Sequence, residues 1–413
     1  MMRATSQSRH TAPTTSGQAA PAALVSNGVA RQQSLRGNDA ARAALARHTL
    51  SVQEDGVYEV AADAAGDHGN ADRPGSLAWT LAGIDAHRDA GTLTRGEAVT
   101  VALGAGEFKV RHAVELVGNL DLHGVGEQDT RLVWHQPAAL RRPEAGDSDA
   151  AWAAWADESN QNVLLGEGIS NVTIERLSVK GREQDREATR ALREEVGEAG
   201  FWNTNEDGAL ASPEGARMTG IHISGKEGRR SSNITIQDTR IADCGRYGIG
   251  MGRVDGVRLR RTDLADNGSS AAFDHNAYLR NVNDVRVRKL DSHGAGGAGL
   301  KVADADDTRI AHSRFHGNGT DGVRLANTET GDEAAGTVLD DVRACGNGRD
   351  GVHVSAETVD GQPGKNGDVT VRDSTMRRND RHGLSARSFA PGRGLTRRHN
   401  RIRDNGAEDV DVA

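Results

Sequence analysis

The stretch GAGLKVADADDTRIAHSRFHGNGTDGVRLANTE, residues 297–329, nearly repeats itself. GLKVAD at Gly299 returns as GVRLAN at Gly322, 23 residues on, and His293-Gly294 returns as His316-Gly317 at the same distance. Working outward, the same unit runs in both directions. Strand-like segments SNVTIERLSVKG (170), SNITIQDTRIADCG (232), DGVRLRRTDLADNG (255), NDVRVRKLDSHGAGG (283), DDTRIAHSRFHGNG (306), GTVLDDVRACGNG (336) and GDVTVRDSTMRRND (367) alternate with shorter ones. The shorter ones are GIHIS (220), GIGMG (248), NAYLR (276), GLKVA (299), GVRLA (322), GVHVS (351) and GLSAR (383). From 248 the steps are 28, 23, 23, 29 and 32 residues. Such short strands bury no face alone, but stacked coil on coil they build a continuous core. With no helical period in the unit, the expected fold is all-β: a single-stranded, right-handed parallel β-helix. A leucine-rich solenoid would show a leucine spacing that is missing here.

Composition agrees. The chain has 413 residues with 51 glycines and only 3% aromatics, so its core must be built from small and β-branched residues with tight turns. A net charge of -8 argues against nucleic acid as a partner. Two cysteines, Cys244 and Cys345, are several coils apart and are expected as small buried residues, not a disulfide. No apolar run reaches membrane-span length and no signal-peptide core precedes the repeats, so export would need a specialised route.

Residues 1–51, rich in Ser, Thr, Ala and Gln, read as a disordered segment with room for a short helix near Asp39–His48. The β-helix is expected over 52–413. SLAWTLAGIDAHRDAG has apolar residues at helical spacing between an N-cap, Ser76, and Gly91, and would cap the first coil. Residues 182–217 break the strand pattern with a charged, helix-prone segment and a loop, an excursion that either walls a groove or is a solvated surface helix.

In a parallel stack, equivalent residues lie about 4.8 Å apart. In each short strand the first and third apolar residues point inward. The outward column then reads His222, Gly250, Tyr278, Lys301, Arg324, His353, Ser385, with Arg280 on the next outward position. Only six of the 51 basic residues are lysines, which singles out Lys301. Like charges on adjacent rungs repel, so the ladder suits an anion; the competing reading is long side chains splayed into water. Arg258, Arg286 and Arg309 form a second basic column, and Arg260 and Arg288 a third. Acids in the same strands, such as Asp238, Asp263, Asp291 and Glu175, could neutralise them.

A lysine beside an arginine fits proton removal from a uronic acid. A positive neighbour favours the neutral amine that a base must be, and the arginine neutralises the carboxylate as the carbanion forms. Lys301 is the expected base, Arg324 the neutraliser, and Tyr278 the acid on O4 or the base itself. His275 and His353 stand in reserve; Arg280, His222, Asp274 and Trp202 are expected substrate contacts. Hydrolysis by paired aspartates is set aside because Asp321 in GTDG has no aspartate on its rung. Nucleotide and protease motifs are absent: GIGMG and GAGG are coil turns. No resident metal is expected; Asp304, Asp306 and Asp307 could bind Ca2+ but more simply cap a turn.

Over residues 76 to 410 the helical cap and glycine-turned coils resemble the pectate lyase-like superfamily. LKVADADDTRIAHSRFHGNGTDGVRL resembles the chondroitinase B and alginate lyase family, in which a lysine base and an arginine stand on neighbouring coils about a strand bearing asparagine and phenylalanine. Lys301, Arg324 and Phe315 match those places; the asparagine-rich form and a calcium cluster are missing. AAFDHNAYLRNV (271–282) resembles the active-site stretch of mannuronan epimerases, with Asp274, His275 and Tyr278 in another order. With the ladder, this leads to the expectation of an enzyme that cleaves acidic polysaccharide by β-elimination, and of a monomer. A C5-epimerase, or a non-catalytic glycan-binding adhesin or effector, is the alternative.

Overall fold

The computed structural model describes residues 56–63, 65–135, 161–184, 186–187, 190, 218–271, 273–327, 336–356, 358–359, 362–363, 365–390 and 392–412. The expected disordered segment, Trp202 and most of the 182–217 excursion lie outside the described residues. Among the described residues, 26 strands join one continuous sheet of parallel pairs wound coil upon coil. Thr358–Val359 and Gln362–Pro363 form a separate antiparallel pair.

Each coil has three strand stretches where the sequence suggested two. Ala277–Arg288 runs through bends at Asn281 and Asp284, both near φ +50°; Lys289, at φ 56°, then breaks it from Asp291–His293. Arg261, Lys289 and His312 hold this left-handed bend on successive coils. A Cβ disfavours that conformation by about 1–2 kcal/mol, so the bends are imposed by stacking and carry no glycine signal.

The core is aliphatic. Val, Leu and Ile fill it at near-zero exposure, with Phe108 and Phe315 its largest fully buried side chains. Buried asparagines run beside it as a ladder. Asn318 Nδ2 donates to Asn347 Oδ1 at 2.9 Å, Asn347 to Asn379 at 2.9 Å, and Asn379 to Asn405 at 3.0 Å. Ala295 interrupts this column, and Asn276, entering from a longer turn, fills the gap by accepting from Asn267 and donating toward Asn318. Each amide is both donor and acceptor, so the ladder fixes register as well as satisfying buried groups.

The expected cap is the helix Leu77–Asp89. Ser76 Oγ accepts from Trp79 N at 3.0 Å, and Gly91 follows the end at φ +72°. Leu77, Leu81 and Ile84 are fully buried over the first coils, worth about 1.5–3 kcal/mol each. Arg88 donates to the carbonyls of Gly118 and Glu97 at 2.6 and 2.7 Å and so pins the helix end to the stack. No helix among the described residues is long and apolar enough to cross a membrane. Both cysteines are free thiols; Cys244 is buried, whereas Cys345 is half-buried.

Candidate functional site

The short strands place their outward side chains in one column. Pairing runs His222–Gly250–Tyr278–Lys301–Arg324–His353–Ser385, rung by rung. Alternation does this at the central rungs, where Val323 and Leu325 are buried while Arg324 between them is not; His353 and Ser385, lower in the same column, are themselves buried. Lys301 Nζ lies 5.2 Å from the centre of the Tyr278 ring. Gly250 leaves room at its rung, where an added Cβ would lie 3.1 Å from His222 Nδ1 and 3.3 Å from the Tyr247 ring.

A second column runs beside the first, two residues before each short strand. Backbone bonds from Gly220, Asn276, Gly299, Gly322 and Gly351 to the carbonyls of Tyr247, Ala298, Asp321, Asp350 and His382 mark it. With His275 it reads Tyr247, His275, Ala298, Asp321, Asp350, His382. At its upper end the rings cluster: Tyr247 stacks on His275 at 6.1 Å, and Tyr278 meets Tyr247 at 5.4 Å and His275 at 5.7 Å. Arg246 lies over the Tyr247 ring at 4.6 Å. Burial raises the Tyr247 phenol's pKa, against the opposing pull of Arg246.

His275 is almost fully buried. Burial first, then the charges of Lys301, Arg324 and Arg246, push its pKa well below the ordinary histidine value. The ring is therefore neutral. Its Nδ1 accepts the Ala298 N–H at 3.0 Å, so the proton sits on Nε2. His275 can donate a hydrogen bond from Nε2, but it is not a base through Nδ1.

The lower end corrects the expectation about Asp321. Asp350, in RDG, is its counterpart on the next coil, and Asp350 N donates to Asp321 Oδ1 at 3.2 Å. Both carboxylates are fully buried. Burial raises the pKa of Asp321 despite His353 and Arg349 nearby. Burial would raise that of Asp350 too, but His353, a two-pronged contact from Arg381 and the His382 N–H hold it well below the carboxylate range. The pair is a buried layer under the ladder, not an exposed pair of the kind a hydrolase presents to water.

Asp321, Asp350 and His353 bring one ligand atom each within 4.8 Å of one another, spacing a metal ion could use. The charge balance does not fit one. Arg381 already occupies both oxygens of Asp350, and Arg349 lies 3.7 Å from Asp321. We read the group as an ion-pair cluster. Asp304 and Asp307 are left-handed bend residues that pair with Arg280 and Arg286.

Other expected contacts fall differently. Arg280 is exposed and 3.6 Å from Asp304. Asp274, expected to touch substrate, is instead fully buried and accepts from Ser269 N and Oγ at 3.3 Å, bracing its turn. Phe273 beside it is half-exposed. Phe315, matched by resemblance, is core. The second basic column does align as Arg258, Arg286 and Arg309. Its partners are Asp284, Asp307 and Asp340 on the following coils, with Asp284 also 3.0 Å from Arg286 on its own coil, rather than those expected. Sequence reasoning missed Arg246, Tyr247 and Asp350; the TDG and RDG repeat was the signal for the last.

A family described as a right handed beta helix region matches residues 214–358. The chain is a right-handed parallel β-helix. Among solved structures, the Dettilon tailspike protein is similar to this β-helix over 87% of the chain and 68% of its own, at 10% identity and TM-score 0.53, a likeness of fold. Also similar are the A-module of the Azotobacter vinelandii mannuronan C-5 epimerase AlgE4 (15% identity, 85% of this chain and 96% of that one, TM-score 0.40) and pectate lyase Pel9A (11%, 88% and 78%, 0.44). No curated protein sequence matches the chain.

Proposed function

We propose that this protein is an enzyme of acidic polysaccharides that removes the proton beside a uronate carboxylate and cleaves the chain by β-elimination. The observation that carries the reading is the run of Tyr278, Lys301 and Arg324 on consecutive rungs of one outward column. Arg324 binds and neutralises the carboxylate as negative charge develops on it. Lys301 takes the C5 proton. The C5–H electron pair becomes the C4=C5 bond, the C4–O4 bond breaks, and O4 takes a proton from Tyr278. Neutral His275, donating from Nε2, adds a hydrogen bond without adding charge.

One observation favours epimerisation as the second reading. Tyr247, 5.4 Å from Tyr278, gives the site a second phenol, and returning a proton to the opposite face of C5 needs a second proton group. A purely binding role would lean on the arginine column at 258–309, whose charges are taken up by aspartates.

The test is incubation with alginate, polymannuronate, chondroitin sulfate, pectate and hyaluronan, following the ultraviolet absorbance of the unsaturated uronate. Absorbance that rises with one polymer and is lost in Lys301→Ala and Arg324→Ala supports the lyase. Exchange of the C5 proton with solvent but no absorbance supports the epimerase. Neither signal on any polymer overturns proton abstraction.

A further inference from the structure

Two of the site's histidines, His275 and His353, are held by different neighbours. His275 Nδ1 faces a backbone N–H, that of Ala298, at 3.0 Å. His353 Nδ1 faces a carboxylate oxygen, Asp350 Oδ2, at 2.9 Å. We infer that Asp350 is a positioning residue that fixes the His353 proton on Nδ1, leaving Nε2 as the atom that exchanges a proton beside Arg324, while His275 is locked in the opposite tautomer as a donor. That Nε2 works on a uronate rests on the proposed function; the tautomers do not.

The groups around His353 come from three coils. Its own coil supplies Asp350 and Arg349, the preceding one Asp321 and Arg324, and the following one Ser385, Arg381 and His382. The contact to Asp350 lies off the axis of a ring N–H and is not an in-line hydrogen bond. Electrostatics still decides the tautomer. A bare nitrogen lone pair 2.9 Å from an ionised carboxylate is repelled, whereas an N–H there is attracted even out of line. Asp350 cannot turn away, because Arg381 grips both its oxygens and the His382 N–H binds Oδ1 at 3.1 Å.

In its neutral form the His353 ring therefore carries its lone pair on Nε2. It stands on the far side of Arg324 from Lys301, about 10 Å along the axis at 4.8 Å per rung. A carboxylate held by Arg324 then has a proton-handling group on each side. His275, neutral and protonated on Nε2, cannot take that part.

Nitrogen-15 NMR of histidine-labelled protein reads the tautomers directly, with no substrate. Neutral His353 should show a protonated Nδ1 and a bare Nε2, and His275 the reverse. Asp350→Asn is the informative variant. Its amide oxygen will be claimed by Arg381, which turns the NH2 toward His353 Nδ1 and forces the proton to Nε2. The expected result is a reversed pattern at His353 with His275 unchanged, the latter reporting an intact fold. On a substrate that is turned over, kcat should fall about 10²-fold with KM within about twofold. A wild-type His353 protonated on Nε2 overturns the inference, and so does an Asp350→Asn protein whose His353 pattern is unchanged. If that variant fails to fold, the wild-type pattern decides alone. A protein inactive on every polymer would sink the lyase reading and leave the NMR result standing.

Discussion

Asn347→Ala tests the device that keeps the coils in register. Asn347 is fully buried. Its Nδ2 donates to Asn379 Oδ1 at 2.9 Å and to Phe315 O at 3.3 Å; its Oδ1 accepts from Asn318 Nδ2 at 2.9 Å and from Asn318 N at 3.3 Å. Alanine removes all four. At about 1 kcal/mol net for each hydrogen bond, the loss is about 4 kcal/mol, read as a drop in the urea midpoint at unchanged slope. Asn347→Asp should be no better, because it sets an oxygen 2.9 Å from Asn379 Oδ1 where a donor stood. The matched control is Asn405→Ala on the last coil, where the amide is partly exposed and water can replace what is lost. That variant should lose about 1–2 kcal/mol. An Asn347→Ala protein as stable as the control would refute the ladder as the source of register. Asn347 also opens the turn that carries Asp350, so the same variant should weaken the site by shifting that aspartate.

Asp340 takes hydrogen bonds from Arg372 and Arg309, which outweigh burial and hold its pKa below the usual carboxylate value. A depressed carboxylate stabilises the fold above its unfolded pKa and stops doing so as pH falls through its folded one. Asp340→Asn should therefore cost about 1 kcal/mol at about pH 7, discounted because both arginines are nearly half exposed, and almost nothing at about pH 2, in urea titrations at each pH. Replacing Arg258, Arg286 and Arg309 by Gln together with their partners Asp284, Asp307 and Asp340 by Asn should leave retention on an immobilised polyuronate within about twofold, since those charges already cancel, whereas Arg324→Gln alone should lose most of it. Gly250→Ala, which sets a methyl 3.1 Å from His222 Nδ1, should cost about 1–3 kcal/mol in the urea midpoint and lower activity by displacing Tyr247.

The repeat spoke plainly in the sequence where the physics is local. Alternation in GLKVA and GVRLA put Lys301 and Arg324 on the outward face, and their pairing follows from equal spacing. Ser76 and Gly91 bound the capping helix because the capping chemistry is in the residues themselves. The third strand stretch was hidden on the central coils, because its bend falls there on Arg261 and Lys289, residues with no preference for positive φ, although neighbouring coils carry Asp238, Asp341 and Asp373 at the same place. Those bends are paid for by stacking, which no single segment encodes. Asp350 was hidden for a related reason: a turn aspartate reads as a cap until the winding sets it against Asp321 and brings Arg381 from the next coil onto it.

The candidate site lies where the repeat departs from its own rules. The coil step is 28 residues from Gly248 to Asn276 and 23 at the next two coils, and the excess falls in the turn between Asp266 and Asn276 that carries Phe273, Asp274 and His275. The asparagine ladder breaks at Ala295 on the following coil, and Asn276 leaves its turn to bridge the break. On that same coil the inner column, occupied by His275 before it and Asp321 after it, holds only Ala298. Lys301 rises from the coil with the small residue, between a neutral histidine and a buried acid pair. A scaffold selected for stacking alone would keep the asparagine at 295 and a longer coil-to-coil contact at 298. Departures from a repeat's consensus that each need a separate repair are expected at a working site, and here they converge on the rungs of Tyr278, Lys301 and Arg324, which is a stronger argument for chemistry at that point than the basic character of the ladder.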